Sequence, residues 1–104
     1  MDNLQELKDQ ITTLVGQFAL EKYKPVEFSP GESVIPPSGK VIGERELQLM
    51  VEASLDGWLT TGRFNEEFER KLADFIGVKH LITVNSGSSA NLVAFSRLTS
   101  SKLG

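Results

Sequence analysis

Three residues with chemical potential, Gly87, Ser88 and Ser89, lie where an apolar run gives way to a helical pattern. The run is Leu81, Ile82 and Val84, with Thr83 among them, and it reads as a short buried strand. The chain then turns through Asn85, Ser86, Gly87 and Ser88. A helix follows, with Ala90, Leu92, Val93, Phe95 and Leu98 as its apolar members. The first N–H groups of a helix have no partner inside it, and the dipole adds partial positive charge there. A glycine lets the backbone come close to an oxyanion, and Ser88 and Ser89 each add a hydroxyl. Two readings fit the local pattern: a phosphate cup at the carboxyl end of a sheet strand, or a plain capped turn. Other chemistries drop out. The chain has no G-x-x-x-x-G-K-S/T loop, no G-x-G-x-x-G fingerprint and no G-x-S-x-G elbow. A nucleophilic serine lacks a base, because the only histidine, His80, stands at the far end of the same run. An extended chain of that length puts it more than ~15 Å away.

Composition narrows the class. The 104 residues suit one small domain, and 39% hydrophobic with 24% charged residues describe a globular chain. The net charge of -3 and the lack of a basic block argue against nucleic acid as a partner. No apolar run is long enough to suggest a membrane span, and the acidic amphipathic start is unlike a secretory signal, so a cytoplasmic location is expected. Without cysteine, and with one histidine among scattered carboxylates, no metal-ligand spacing is present. A strand that is apolar on both faces needs neighbours. One such strand stands alone here, which implies the N-terminal part of a longer α/β protein.

The elements that must position this corner come earlier. The pattern predicts a helix from Asp2 to Tyr23, with Leu4, Leu7, Ile11, Leu14, Val15 and Phe18 as one apolar stripe. Gly16 weakens that helix by about 1 kcal/mol relative to alanine. The stripe serves either packing within its own domain or docking on a partner subunit. Residues 24–42 hold all four prolines and form a linker. Lys40, within it, either reaches a site or is solvated. A second helix, Glu44 to Leu55, turns Leu47, Met50, Val51 and Leu55 inward and ends at Asp56-Gly57. The loop Gly57 to Gly62 brackets the only tryptophan, Trp58, and two hydroxyls between glycines. It either stacks a flat ring and offers Thr60 and Thr61 to a ligand, or fills the core with Trp58 and Leu59. A third helix, Asn65 to Ile76, has Asn65 as its N-cap, Glu66, Glu67 and Glu69 at the positive end, and Phe68, Leu72, Phe75 and Ile76 as its buried face. Gly77 is placed to close it in the left-handed conformation.

The succession G-W-L-T-T-G-R-F-N-E-E-F-E-R-K-L-A-D-F-I-G-V-K-H, then V-N-S-G-S-S-A-N-L, resembles the N-terminal region of the sugar aminotransferase/dehydratase family. S-G-S-S-A-N-L, W-L-T-T and the N-terminal helix with its proline-rich linker favour one branch: the CDP-4-keto-6-deoxyglucose 3-dehydrases of lipopolysaccharide O-antigen synthesis. The resemblance implies an α/β fold, the start of a fold type I PLP-dependent aminotransferase-like large domain, mostly helical here with one buried strand. It divides the chain into a helix (1–23), a linker (24–42) and an incomplete cofactor domain (43–104). It implies pyridoxamine 5'-phosphate or pyridoxal 5'-phosphate as cofactor, its phosphate held by Gly87 and Ser88 with Ser89 as a second hydroxyl. Gly57, Trp58, Leu59 and Thr60 would line the site of a nucleotide-linked 4-keto-6-deoxy sugar, which loses its C3 hydroxyl. A homodimer, a 2Fe-2S cluster on later cysteines and an iron-sulfur flavin reductase partner follow from the same likeness. The catalytic base, histidine in dehydrases and lysine in aminotransferases, would lie downstream. The 104 residues alone would then be inactive, and His80 is a strand-edge residue. A nucleotide-sugar aminotransferase and a non-catalytic helical interaction module are the alternative readings.

Overall fold

The computed structural model describes residues 2–103. Four α-helices follow one another, α1 (Asp2–Lys22), α2 (Glu44–Asp56), α3 (Arg63–Ile76) and α4 (Gly87–Leu98), and a 3-10 turn covers Ser101–Leu103. The chain divides into two compact units, residues 1–59 and residues 60–104.

In the first unit α1 packs on α2, and it does so with an unexpected face. Gly16 and Ala19 are the buried residues of α1, flanked by half-buried Lys8, Thr12 and Val15. These positions recur at helical spacing and let the two backbones approach. A Cβ on Gly16 would lie 2.7 Å from Nε2 of Gln48. That same nitrogen donates to the carbonyl oxygen of Thr12 at 3.1 Å, tying α2 to α1. Gly16 thus lowers helix propensity but makes room for the neighbour. Leu4, Leu7, Ile11, Leu14 and Phe18, the apolar stripe, are exposed. On α2, Leu47 and Val51 are half-buried, whereas Met50 and Leu55 are exposed.

Caps set the limits of α2. The Glu46 carboxylate accepts the Gly43 N–H at 2.8 Å. Hydrogen bonds from backbone N–H groups of Glu46 itself and Gly43 hold its carboxyl below the ordinary value. That contribution is therefore present above the ordinary carboxylate pKa and is lost as the pH falls through the lowered one. At the other end Gly57 takes a left-handed conformation (φ 68°), which ends the helix. Residues 24–43 contain no helix; the chain turns at Ser29–Ser33, where the Ser33 N–H donates to the Ser29 carbonyl at 2.8 Å.

The second unit corrects two expectations. Helix α3 starts at Arg63 after Gly62, so Asn65 is inside the helix and does not cap it. Phe68, Phe75 and Ile76 are exposed, Phe75 to 88%, and only Leu72 of the expected face is half-buried. The buried residue of α3 is Ala73. Gly77 does close the helix as anticipated (φ 85°), with its N–H on the Ala73 carbonyl at 2.8 Å.

The buried strand is the third correction. Among the described residues there is no strand, and Ile82 is 75% exposed. A strand exists only through ladder bonds to a neighbour, and no other segment of the described chain supplies one. The apolar alternation at Leu81–Val84 is a necessary condition without its partner.

The close approach at Gly16 makes a prediction. Gly16→Leu inserts a side chain where α2 already sits, so about 1–3 kcal/mol of stability should be lost. A urea midpoint shifted down at unchanged slope would show it; an unchanged midpoint would mean that the two helices do not approach there.

Candidate functional site

The second unit brings the three candidate phosphate residues together as the first turn of α4. Ser86 precedes the helix in an extended conformation (φ -162°, ψ 164°), and its Oγ accepts the Ser89 N–H at 3.1 Å. Its hydroxyl hydrogen goes to Ser89 Oγ, also at 3.1 Å. The Ser86 carbonyl accepts the Ala90 N–H at 3.0 Å, the first bond of the helix. Ser86 is therefore the cap, a residue that the sequence reading placed only in the turn. The three-residue spacing of Ser86 and Ser89 was the available signal.

This capping leaves a defined remainder. The Ser89 N–H is committed, and the Ser89 hydroxyl, accepting from Ser86, keeps its own hydrogen to donate. The N–H groups of Gly87 and Ser88 have no acceptor among the described residues, and neither has the Ser88 hydroxyl. Two amides and two hydroxyls are thus available at the positive end of a twelve-residue helix. Gly87 is not in the left-handed region, and a Cβ there would meet nothing within 4 Å. Among the described residues neither backbone conformation nor packing asks for glycine at this position.

Charge separates this helix start from the others. The first turn of α1 holds Asp2, that of α2 Glu44 and Glu46, and that of α3 Glu66. Each dipole there meets a carboxylate of the chain. The first turn of α4 has no acidic residue. Nothing within it repels an anion, so the partial charge, about half a unit, is not offset by a carboxylate of that turn.

The approach to this turn is held from α3. The Thr83 N–H donates to Oε2 of Glu69 at 2.8 Å, and the Thr83 hydroxyl donates to Oδ1 of Asn65 at 2.9 Å. Sequence reasoning missed both partners. It placed Asn65 at a cap and Glu69 at the positive end of the helix, and no local pattern announces a contact across eighteen residues. Glu67, by contrast, is exposed and pairs with Lys71 one turn on, and that pairing lowers its carboxyl pKa. His80 and Lys79 line an open groove of about 410 Å³ with Glu69, Arg70 and Ala73 of α3.

The candidate sugar-site residues follow α2. Gly57 is its left-handed closing residue, and Trp58 and Leu59 after it are exposed, Leu59 to 96%. Neither side chain is buried among the described residues. The first unit ends at Leu59, and Thr60, also exposed, opens the second. Among the described residues no cluster of three metal-ligating side chains occurs, and no helix is long and apolar enough to cross a membrane.

Residues 40–102 match the DegT/DnrJ/EryC1/StrS aminotransferase family. The chain belongs to this family, whose cofactor domain is of PLP fold type I. It is similar to the lipopolysaccharide biosynthesis protein RfbH of Salmonella typhimurium, at 66% identity over 98 residues, covering 94% of this chain and 22% of that protein. It is 41% identical over 99 residues to dTDP-4-dehydro-2,6-dideoxy-D-glucose 3-dehydratase of Saccharopolyspora spinosa, covering 95% and 21%. The spore coat polysaccharide biosynthesis protein SpsC of Bacillus subtilis is 38% identical over 60 residues, 58% of this chain and 15% of its own. The chain spans about a fifth of the length of the first two relatives.

The capping geometry can be checked on its own. Ser86→Ala should cost about 1 kcal/mol, and Ser86→Gly only a few tenths. Equal losses for the two variants in thermal melts would mean that the Ser86 hydroxyl does not cap α4.

Proposed function

We propose that this segment carries the cofactor-phosphate corner of a pyridoxamine/pyridoxal-phosphate-dependent dehydratase. The enzyme removes the C3 hydroxyl of a nucleotide-linked 4-keto-6-deoxyhexose on the way to lipopolysaccharide sugars. The observation that carries the reading is the uncommitted first turn of α4: the Gly87 and Ser88 amides and the Ser88 hydroxyl, with no carboxylate beside them. That donor set suits a phosphate dianion, which needs several N–H and O–H donors and a positive local field. Family membership supports this cofactor, and two relatives' names support the substrate class: one is a sugar 3-dehydratase, the other acts in lipopolysaccharide synthesis.

In this reading Gly87 and Ser88 bind two phosphate oxygens through their amides, and the Ser88 hydroxyl donates to the third. Ser89 adds its remaining hydrogen from the half-buried side of the turn. When bound, the cofactor supplies an electron sink next to the sugar carbon that loses its hydroxyl. The chain's part is to anchor the phosphate end, so that the ring is presented at a constant distance and angle. Trp58, its indole exposed, offers a stacking face to the nucleotide or sugar, while Gly57, Leu59 and Thr60 complete that lining. These residues contain no cysteine and no identified base. In this reading the base and any 2Fe-2S cluster are supplied by other parts of the protein, which works as a homodimer with a flavin reductase partner. The family's description as aminotransferases keeps a second reading open, a PLP-dependent nucleotide-sugar aminotransferase using the same corner. The family match weighs against a purely helical interaction module.

Ser88→Ala in the full-length protein should weaken pyridoxamine 5'-phosphate about tenfold, the size expected for one hydrogen bond to a charged group. Ser88→Asp should weaken it further by placing a carboxylate against the dianion. Equilibrium dialysis reads both, and wild-type affinity in both variants would place the phosphate elsewhere.

A further inference from the structure

We propose that Glu69 is a positioning residue for the cofactor phosphate, acting through Thr83 with Asn65 as second anchor; this rests on the phosphate reading of α4 given above. Between α3 and α4 the described chain forms no regular secondary structure. Nothing in its own backbone pattern therefore fixes the direction in which it enters the turn at Ser86. The restraint comes from α3. Glu69 Oε2 accepts the Thr83 backbone N–H at 2.8 Å and stands 3.5 Å from the Thr83 hydroxyl, which donates to Asn65 at 2.9 Å. Asn65 and Glu69 are one turn apart on the same half-buried face, so the two bonds hold Thr83 in both height and rotation. Three residues further on, within ~11 Å of chain, is the Ser86 cap. A rotation at Thr83 is carried to the amides of Gly87 and Ser88, whose aim decides whether they converge on one phosphate. A carboxylate suits the task because a charge-assisted bond to a backbone N–H is about twice as strong as a neutral one.

The sign of the effect identifies its route. Through space, removing the negative charge of Glu69 would tighten the binding of a dianion. Through Thr83, removing the acceptor loosens it. The test compares pyridoxamine 5'-phosphate with pyridoxamine, which lacks the phosphate, as ligands of the full-length apoprotein. Glu69→Leu should weaken the phosphorylated ligand about tenfold and leave pyridoxamine unchanged. Glu69→Gln, whose amide oxygen still accepts the Thr83 N–H, should recover most of the loss. An unchanged or tighter phosphorylated ligand overturns the proposal, as does an equal loss for both ligands. Should Glu69→Leu not accumulate as folded protein, Thr83→Val, which removes only the hydroxyl link, is judged by the same ratio and should lower it a few-fold. Ser88→Ala in the same assay separates the two claims. If it leaves the ratio at the wild-type value, the phosphate reading itself has failed. If it lowers the ratio while the Glu69 and Thr83 variants do not, only the positioning role has failed.

Discussion

An α-helix begins with more N–H donors than it can use, and the way each helix of this chain settles that surplus organises the rest. Three helices set carboxylates of their own against the positive end in the first turn, and Glu46 of α2 also accepts the Gly43 N–H. The fourth spends one serine on one amide and leaves two amides free. The difference is electrostatic. An acidic first turn cancels the dipole and competes for any anion, whereas a glycine-serine turn keeps both the field and the donors. The partly committed cap also gives the turn its shape. Ser86 holds Ser89, and that bond keeps the Gly87 and Ser88 amides together on the opening coil of the helix.

A second constraint is the shortage of opposing surface. Ala19 and Ala73 are the buried hydrophobic side chains among the described residues. The contacts that do form go through small or polar faces: Gly16 and Ala19 on α1 beside Gln48 of α2, and Asn65, Glu69 and Ala73 on α3 beside the segment that leads to α4. The leucine and phenylalanine stripes of α1 and α3 remain in solvent. Hydrophobic burial acts only where a second apolar surface is present to exclude water, and relatives more than four times as long have far more chain from which to build one.

This explains which parts of the fold were legible. Helix positions came through because 3.6-residue periodicity and glycine terminators act locally, as at Gly57 and Gly77. Which face packs did not, since amphipathicity marks a face that can be buried without saying by what. Phe75 and Ile82 belong to well-formed apolar patterns and are exposed. The turn at 86–89 was legible as a helix start from glycine and serine spacing, but the division of labour within it was not. Three nearby serines are equivalent to a pattern, and only backbone geometry assigns Ser86 to the cap.

The sequence by itself determined the helical segments and the family, because periodicity and motif order are properties of the chain read along its length. Tertiary structure alone decided that Gly16 is a contact rather than a defect, that the Thr83 N–H finds Glu69, and that the Thr83 hydroxyl finds Asn65. Those outcomes depend on groups fourteen to thirty-six residues apart meeting within hydrogen-bond distance, and no short-range rule encodes which distant groups will meet.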